Sequence, residues 1–140
     1  MQAKVEFFKH ECQSYNDYKK WINDAERKIE EIREDASSIS SPTIKPVVYE
    51  NARDSSAGER ILIGGISEIM VQEQIKKMWQ TRIDFVDNLL SQMPMLGRDI
   101  VTELYIKGTH YVKVALKFNF STNYVYTKAD AYIAKVMNKV

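Results

Sequence analysis

The sequence predicts an all-α protein with long N-terminal helices and a C-terminal three-helix domain of the helix-turn-helix type. Two long stretches have apolar residues at every third or fourth position, and a pattern of two short helices around a tight turn lies between Gly108 and Val136. This spacing is typical of helices that are buried on one side. The 140 residues, 44% of them hydrophobic and 28% charged, suffice for one compact domain or two small ones.

The first stretch runs from about Lys4 to Ala36 and contains neither glycine nor proline. Its apolar residues follow a seven-residue repeat, and charged residues of both signs surround them. We therefore expect one long helix with a buried stripe and a solvated outer face. The stripe consists of Tyr15, Tyr18, Ile22, Ala25, Ile29, Ile32 and Ala36.

A connector rich in serine and proline follows, at about residues 37–60. Helical backbone is disfavoured before a proline, so Pro42 and Pro46 indicate a break. A second long helix is predicted to begin between Ala57 and Ile66 and to end near Gln92. Its apolar stripe consists of Leu62, Ile66, Ile69, Trp79, Ile83, Val86, Leu90 and Met93. The two long helices could form a hairpin within the chain or a coiled coil with a second chain.

We assign residues 1–92 to the long-helix region and residues 93–140 to the helix-turn-helix domain. Pro94 ends the second long helix, and a short helix from Gly97 to Lys107 ends at Gly108. Because so small a domain is marginally stable alone, we expect it to pack on the end of the second long helix. The residues expected at that contact are Leu89, Leu90 and Met93.

The motif itself begins with a helix expected to bury Val112, Ala115 and Phe118. Asn119 is expected at a left-handed turn, which asparagine tolerates better than most residues, and Ser121 is expected to cap the second helix. The buried stripe predicted for that helix consists of Val125, Ala129, Tyr132, Ile133 and Val136.

The candidate base contacts face outward at the start of the second motif helix, and the candidate phosphate contacts lie on both motif helices and just before them. Asparagine can read adenine, threonine can contact a base or a thymine methyl, and lysine can contact phosphates without specifying sequence. Any of these side chains alone could equally be a solvated surface residue, and the histidine could be a helix cap. The candidates are Thr122, Asn123, Tyr126, Thr127, Lys128, Lys113, Lys117 and His110, with Lys107 as a further phosphate contact.

Charge and composition narrow the function classes. Residues 97–140 contain seven Lys or Arg and three Asp or Glu, a net charge of +4, whereas the remainder carries −3, and this asymmetry suits a polyanionic partner. The single cysteine, Cys12, and the absence of a secretion signal or a long apolar run predict a soluble cytoplasmic protein without a membrane partner. His10, Glu11 and Cys12 are adjacent and would point in different directions from a helix, so we expect no catalysis, metal or cofactor.

Residues 93–136 resemble the C-terminal DNA-binding region of bacterial sigma factors, and more closely the phage late-transcription regulators of the ArpU and RinA type. In those proteins a Leu-Pro segment precedes a helix that ends in Tyr-Ile-x-Gly, and an Ile-Ala pair leads through a turn to Ser-x-x-x-Val and the recognition helix. The corresponding residues here are Met93 and Pro94, then Tyr105, Ile106 and Gly108, then Val114 and Ala115, and finally Ser121 and Val125. Asn119 stands where the family usually has glycine, and the last helix has lysine but no arginine.

The resemblance implies a phage-encoded transcriptional regulator of late genes in the host bacterial cell. It implies binding of promoter double-stranded DNA through the helix that starts at Ser121, together with host RNA polymerase. A homodimer would place two such helices on one duplex. The alternative is a non-catalytic modulator that binds a host protein through the long helices.

Overall fold

The computed structural model describes the backbone of residues 2–39 and 52–140 and the side chains of residues 2–37 and 64–140. This part of the chain is helical and contains no β-strand, so the predicted all-α class is confirmed. The long helices are α1 (Gln2–Gln13), α2 (Tyr15–Ile39) and α3 (Ala52–Ser91). The C-terminal third contains α4 (Met95–Val101), a π-helical turn (Thr102–Ile106), α5 (Tyr111–Phe118), a 3₁₀ turn (Thr122–Tyr124) and α6 (Val125–Met137).

The long helices differ from the prediction in their bounds. The single N-terminal helix is two, α1 and α2, which meet at Ser14. The Ser14 amide donates to the His10 carbonyl (3.0 Å) and the Ser14 carbonyl accepts from the Tyr18 amide (2.9 Å), so hydrogen bonding continues past the interruption. The second long helix begins at Ala52, before the predicted range of starting positions. Residues 40–51 of the predicted connector lie outside the described residues.

The chain divides into two compact units. The terminal unit comprises Met1–Lys19 and Gln80–Val140, and the middle unit comprises Lys20–Trp79. Helices α2 and α3 contribute residues to both units. The domain boundary predicted at residues 92–93 falls within the terminal unit and stays a prediction.

In the middle unit, α2 and α3 contact each other as antiparallel helices. The Trp21 and Trp79 ring centroids are 4.6 Å apart, and the Glu26 carboxylate lies 3.5 Å from the Lys76 ammonium. Residue numbers rise along one helix as they fall along the other. These contacts belong to the hairpin within the chain, one of the two arrangements that the sequence allowed. Ile29 of the predicted stripe is buried here.

The core of the terminal unit brings α1 together with the end of α3 and all of the C-terminal helices. Helix α1 packs on α6 and on the π-helical turn, and α4 packs on α6. The predicted contact between the C-terminal helices and Leu89, Leu90 and Met93 is confirmed, since all three belong to this core. The contribution of α1, through Val5, Phe8 and Cys12, was not predicted. The other core residues are Val86, Ile100, Val101, Leu104, Tyr105, Val114, Ala115, Val125, Ala129, Ile133, Val136 and Met137.

Helices α4 and α6 approach each other closely at Gly97. A Cβ atom at this position would lie 2.6 Å from Cγ of Tyr132, at the root of the aromatic ring. Because no side chain can occupy that space without moving the ring, the contact requires glycine.

Candidate nucleic-acid interface

The turn between α5 and α6 depends on the left-handed backbone of Asn119. Its φ of 60° and ψ of 42° confirm the predicted conformation, and Asn119 is the only non-glycine residue with positive φ in the described residues. The Ala115 carbonyl accepts hydrogen bonds from the amides of Asn119 and Phe120, the latter at 2.9 Å. These bonds end α5 and reverse the chain toward α6.

Helix α5 packs on α6 through small and β-branched residues. Val114 and Ala115 on α5 and Val125 and Ala129 on α6 are all buried. The predicted burial of Val112 is wrong, because α5 turns the row of residues 111, 114, 115 and 118 inward and leaves Val112 exposed. The predicted stripe on α6 is confirmed, with Tyr132 only half-buried at its margin.

The second helix of the predicted motif starts later than expected. Ser121 has extended backbone angles but makes no capping hydrogen bond through its side chain. A 3₁₀ turn occupies Thr122–Tyr124, and α6 begins at Val125. Thr122 and Asn123 therefore lie on the 3₁₀ turn and not on an α-helix, and both are exposed.

Tyr126 and Thr127 lie in the first turn of α6, and both are exposed. We call Tyr126 and Thr127, together with the exposed Thr122 and Asn123 of the 3₁₀ turn, the leading face. All four residues that the sequence singled out as base contacts are thus exposed. That they touch DNA stays a prediction.

Three rings join the start of α5 to the leading face. The ring centroids of His110 and Tyr111 are 4.7 Å apart, and those of Tyr111 and Tyr126 are 5.6 Å apart. His110 is the N-cap of α5, and its Nδ1 accepts a hydrogen bond from the Val112 amide at 3.3 Å. Sequence reasoning missed Tyr111, although its position next to His110 at a helix start was a usable signal.

Positive charge dominates this region of the chain. Residues 104–129 contain four lysines and no aspartate or glutamate. Lys113 is exposed on α5. Lys107 and Lys117 lie 3.2 Å and 2.8 Å from the Glu103 carboxylate. Their ammonium groups are partly neutralised there, which leaves Lys113 as the best placed of the three for a phosphate.

The Glu103 carboxylate connects α5 to the residues before it through hydrogen bonds. Its carboxylate accepts hydrogen bonds from Lys117, from the Thr109 hydroxyl at 2.8 Å and from Lys107. Because these donors stabilise the charged form, they lower the pKa of Glu103 to about 2, although burial opposes the shift. Gly108, with φ of +69°, ends the preceding helix as predicted, and the Thr109 amide bonds to the Glu103 carbonyl at 2.8 Å.

Asp130 is the one acidic side chain of α6, and α1 supplies its counter-charge. The Lys9 ammonium lies 2.7 Å from the Asp130 carboxylate. Burial disfavours the charged ammonium, but Asp130, Tyr105 and Glu6 outweigh that effect and raise the pKa of Lys9. Lys128, half-buried, places its ammonium 5.4 Å from the Tyr132 ring. No local pattern in the sequence could have paired Lys9 with Asp130, since 121 positions separate them.

Three other features of the described residues are the grouping of metal-ligating side chains, the single thiol and the hydropathy of the helices. No group of three His, Cys, Asp or Glu side chains within them could hold a metal ion. Cys12 is buried, and burial, followed by the charge of Glu11, raises the pKa of its thiol to about 12. In the same ranges, no helix is both long enough and apolar enough to span a bilayer.

No protein-family model matches the chain, and no significant similarity was found to a curated protein or to a solved structure.

Proposed function

We propose that this protein is a phage-encoded DNA-binding regulator of late transcription that acts in the cytoplasm of the host bacterium. Residues 111–137 would be its helix-turn-helix, and it would work together with the host RNA polymerase. The observation that carries the proposal is the leading face: four exposed polar and aromatic side chains at the start of α6 and on the turn before it. They belong to residues 104–129, which contain four lysines and no acidic residue and are flanked by Glu103 and Asp130. The resemblance of residues 93–136 to ArpU- and RinA-type regulators supports the same function.

Each residue of the leading face has a chemical role in this proposal. Thr122 and Asn123 enter the major groove first, and the Asn123 amide can bond both the donor and the acceptor of adenine. Tyr126 and Thr127 contact the bases or the sugar-phosphate backbone beside them. Thr122 and Asn123 lie on the 3₁₀ turn that immediately precedes α6, and in this proposal the backbone of that turn approaches the duplex.

His110 and Lys113 position the protein on the phosphates. Since Nδ1 of His110 accepts the Val112 amide, the neutral ring carries its proton on Nε2, which can donate to a phosphate oxygen. Lys113 neutralises one phosphate and releases the counterion that was bound there, which favours binding at low salt. With so few uncompensated cations, few counterions are released, so binding by one domain is weak and its salt dependence is shallow. Two copies or the polymerase must add to it.

The test is fluorescence anisotropy of the full chain on duplex DNA as salt rises from low to physiological concentration. Lys113→Ala should weaken binding to all sequences and reduce the slope of log K against log salt by about 0.9. Lys28→Ala, an exposed lysine of the middle unit, is the matched control and should change neither. Absence of binding to any duplex at low salt would refute the proposal.

Sequence selection from random duplexes tests the base contacts. Asn123→Ala should reduce discrimination at one position of the selected site by about 1–3 kcal/mol while leaving nonspecific binding unchanged. Asn23→Ala, an exposed asparagine on α2, should leave the selected site unchanged. An unchanged site in Asn123→Ala would remove that residue from base recognition.

The second candidate function is a non-catalytic modulator that binds a host protein through the long helices. The observation in its favour is the Trp21–Trp79 pair, in which Trp21 remains exposed. It predicts that Trp21→Ala abolishes activity in the host while Tyr126→Ala has no effect, and the opposite result would exclude it. Ile29 does not serve this test, because it is buried and its replacement would destabilise the middle unit.

A further inference from the structure

We propose that the outer face of α3 in the middle unit is a self-association surface, on which α3 of one copy pairs antiparallel with α3 of a second copy. This inference goes beyond the proposed function and does not rest on it, because none of the residues involved belongs to the terminal unit.

Helix α3 has an inner face and an outer face within the middle unit. The inner face, which includes Gln72, Lys76 and Trp79, is buried or half-buried and contacts α2 at Trp21 and Glu26. The outer face stays open to solvent. Its apolar residues and their exposed fractions are Ile66 59%, Met70 65%, Val71 51% and Met78 48%.

The outer residues form a row and are not scattered. Ile66, Met70, Gln74 and Met78 follow one another at intervals of four residues, which is the ridge that packs into the groove of a neighbouring helix. Val71 widens the row on one side. Isolated exposed apolar residues are common on protein surfaces, but a continuous row on one helix indicates a partner.

The exposed area suits a symmetric dimer. The four apolar side chains leave roughly 400 Å² open on each chain, which is the size of the largest apolar patch on a typical monomer, and such patches are often functional. Pairing two copies covers roughly 800 Å² of apolar surface, and the flanking polar side chains bring the total to about 1,200 Å², the lower limit of specific interfaces. A reversible dimer is therefore expected.

Charge complementarity selects the antiparallel arrangement. Glu73 and Lys77 lie one turn apart along one flank of α3; Lys77 is exposed, and Glu73 is half-buried with its carboxylate 3.8 Å from the Lys76 ammonium of the same helix. A two-fold axis between antiparallel helices places like edges side by side, so Glu73 meets Lys77 of the second copy, and the reciprocal pair forms as well. In a parallel pair, the edge with Glu73 and Lys77 would face the opposite edge of the second copy, so Glu73 and Lys77 would not meet. Gln74 lies near the axis, where two amides can donate to and accept from each other.

The first test is the mass of the full chain in solution, by light scattering after size exclusion. The chain should approach twice its mass of 16.3 kDa as its concentration rises through the micromolar range. Met70→Glu with Met78→Glu should weaken association at least about tenfold, because two charges from each copy, four in all, would be buried in the interface. Met95→Glu, which changes a methionine that is 73% exposed on α4, is the matched control and should leave the dimer intact. A wild-type chain that stays monomeric, or a dimer that survives the double change, would overturn the proposal.

Charge reversal tests the register without touching the apolar row. Glu73→Lys alone and Lys77→Glu alone should each weaken the dimer, since like charges would then meet. The chain with both changes should recover it, and a mixture of the two single variants should form the heterodimer in preference to either homodimer. Failure of the doubly changed chain to recover association, with unchanged helical circular dichroism, would exclude the antiparallel pairing.

Discussion

Replacing Gly97 by alanine should destabilise the terminal unit, although alanine is the better helix former. Gly97 lies in α4, where alanine in place of glycine favours a helix by about 1 kcal/mol. Its missing side chain, however, is the space that Tyr132 of α6 occupies. The added Cβ would lie 2.6 Å from both Cγ and Cδ1 of that ring.

The magnitude follows from which atoms must move. Cγ is fixed to the backbone of α6 through a single methylene, so the whole ring must shift or the two helices must separate. Overpacking of this kind costs about 1–3 kcal/mol. Since the contact involves the root of the ring, the upper part of that range applies, and the net loss for Gly97→Ala is about 1–2 kcal/mol after the gain in helix propensity.

Urea unfolding followed by circular dichroism at 222 nm measures the effect. Gly64→Ala is the matched control: it lies within α3, a Cβ there has no atom within 4 Å, and the change should stabilise by about 1 kcal/mol. Both tryptophans lie in the middle unit, so their fluorescence reports on the unit that contains Gly64. In a Tyr132→Ala background, Gly97→Ala should become stabilising, because the clash is gone. Stabilisation by Gly97→Ala in the wild-type background would refute the close approach of α4 and α6.

Three further predictions concern single residues. Glu103 has a pKa of about 2, chiefly because Lys117 bonds its carboxylate, so its stabilising effect is complete above its ordinary pKa of 4.5 and is lost as the pH falls toward 2. Thermal melts of Glu103→Gln should depend less on pH in that window, and an unchanged dependence would contradict the hydrogen bonds. Asn119→Val should cost about 1–2 kcal/mol in urea unfolding because of its left-handed backbone, whereas Asn119→Gly should not destabilise, and equal stabilities would contradict the turn geometry. The Cys12 thiol, with its pKa raised to about 12 by burial and by Glu11, should react with iodoacetamide at pH 8 only after unfolding, and rapid labelling of the native chain would contradict its burial.

Local patterns in the sequence were sufficient to predict many of the turns and buried positions in the C-terminal third. Gly108 was expected to end a helix and Asn119 to adopt a left-handed turn, and both residues have positive φ. The stripe on α6 was expected from its spacing of three and four, and Val125 and Ile133 are buried as predicted. The wrong predictions were also local. The spacing of Val112 is compatible with the buried face, but α5 starts at Tyr111 and leaves Val112 on its outer side. Ser121 precedes a 3₁₀ turn instead of an α-helix.

The sequence predicted which residues belong to the candidate site, but not which charged side chains lie next to them. The sequence indicated that Thr122, Asn123, Tyr126 and Thr127 would face outward, because helical residues four positions apart lie on the same side and the buried stripe occupies the other side. It could not indicate that Asp130 is neutralised, since Lys9 arrives from the other end of the chain. Nor could composition show that Lys107 and Lys117 converge on a single carboxylate.

The all-α class and the positions of most helices followed from the sequence alone, since they depend on interactions between residues three or four positions apart. Only the tertiary structure decided that α1 completes the core around the C-terminal helices, that α2 pairs with α3 within the chain, and that a second apolar row on α3 stays uncovered. The physical reason is that helical periodicity identifies which side of a helix is apolar. Which partner covers that side depends on contacts between residues far apart in the chain.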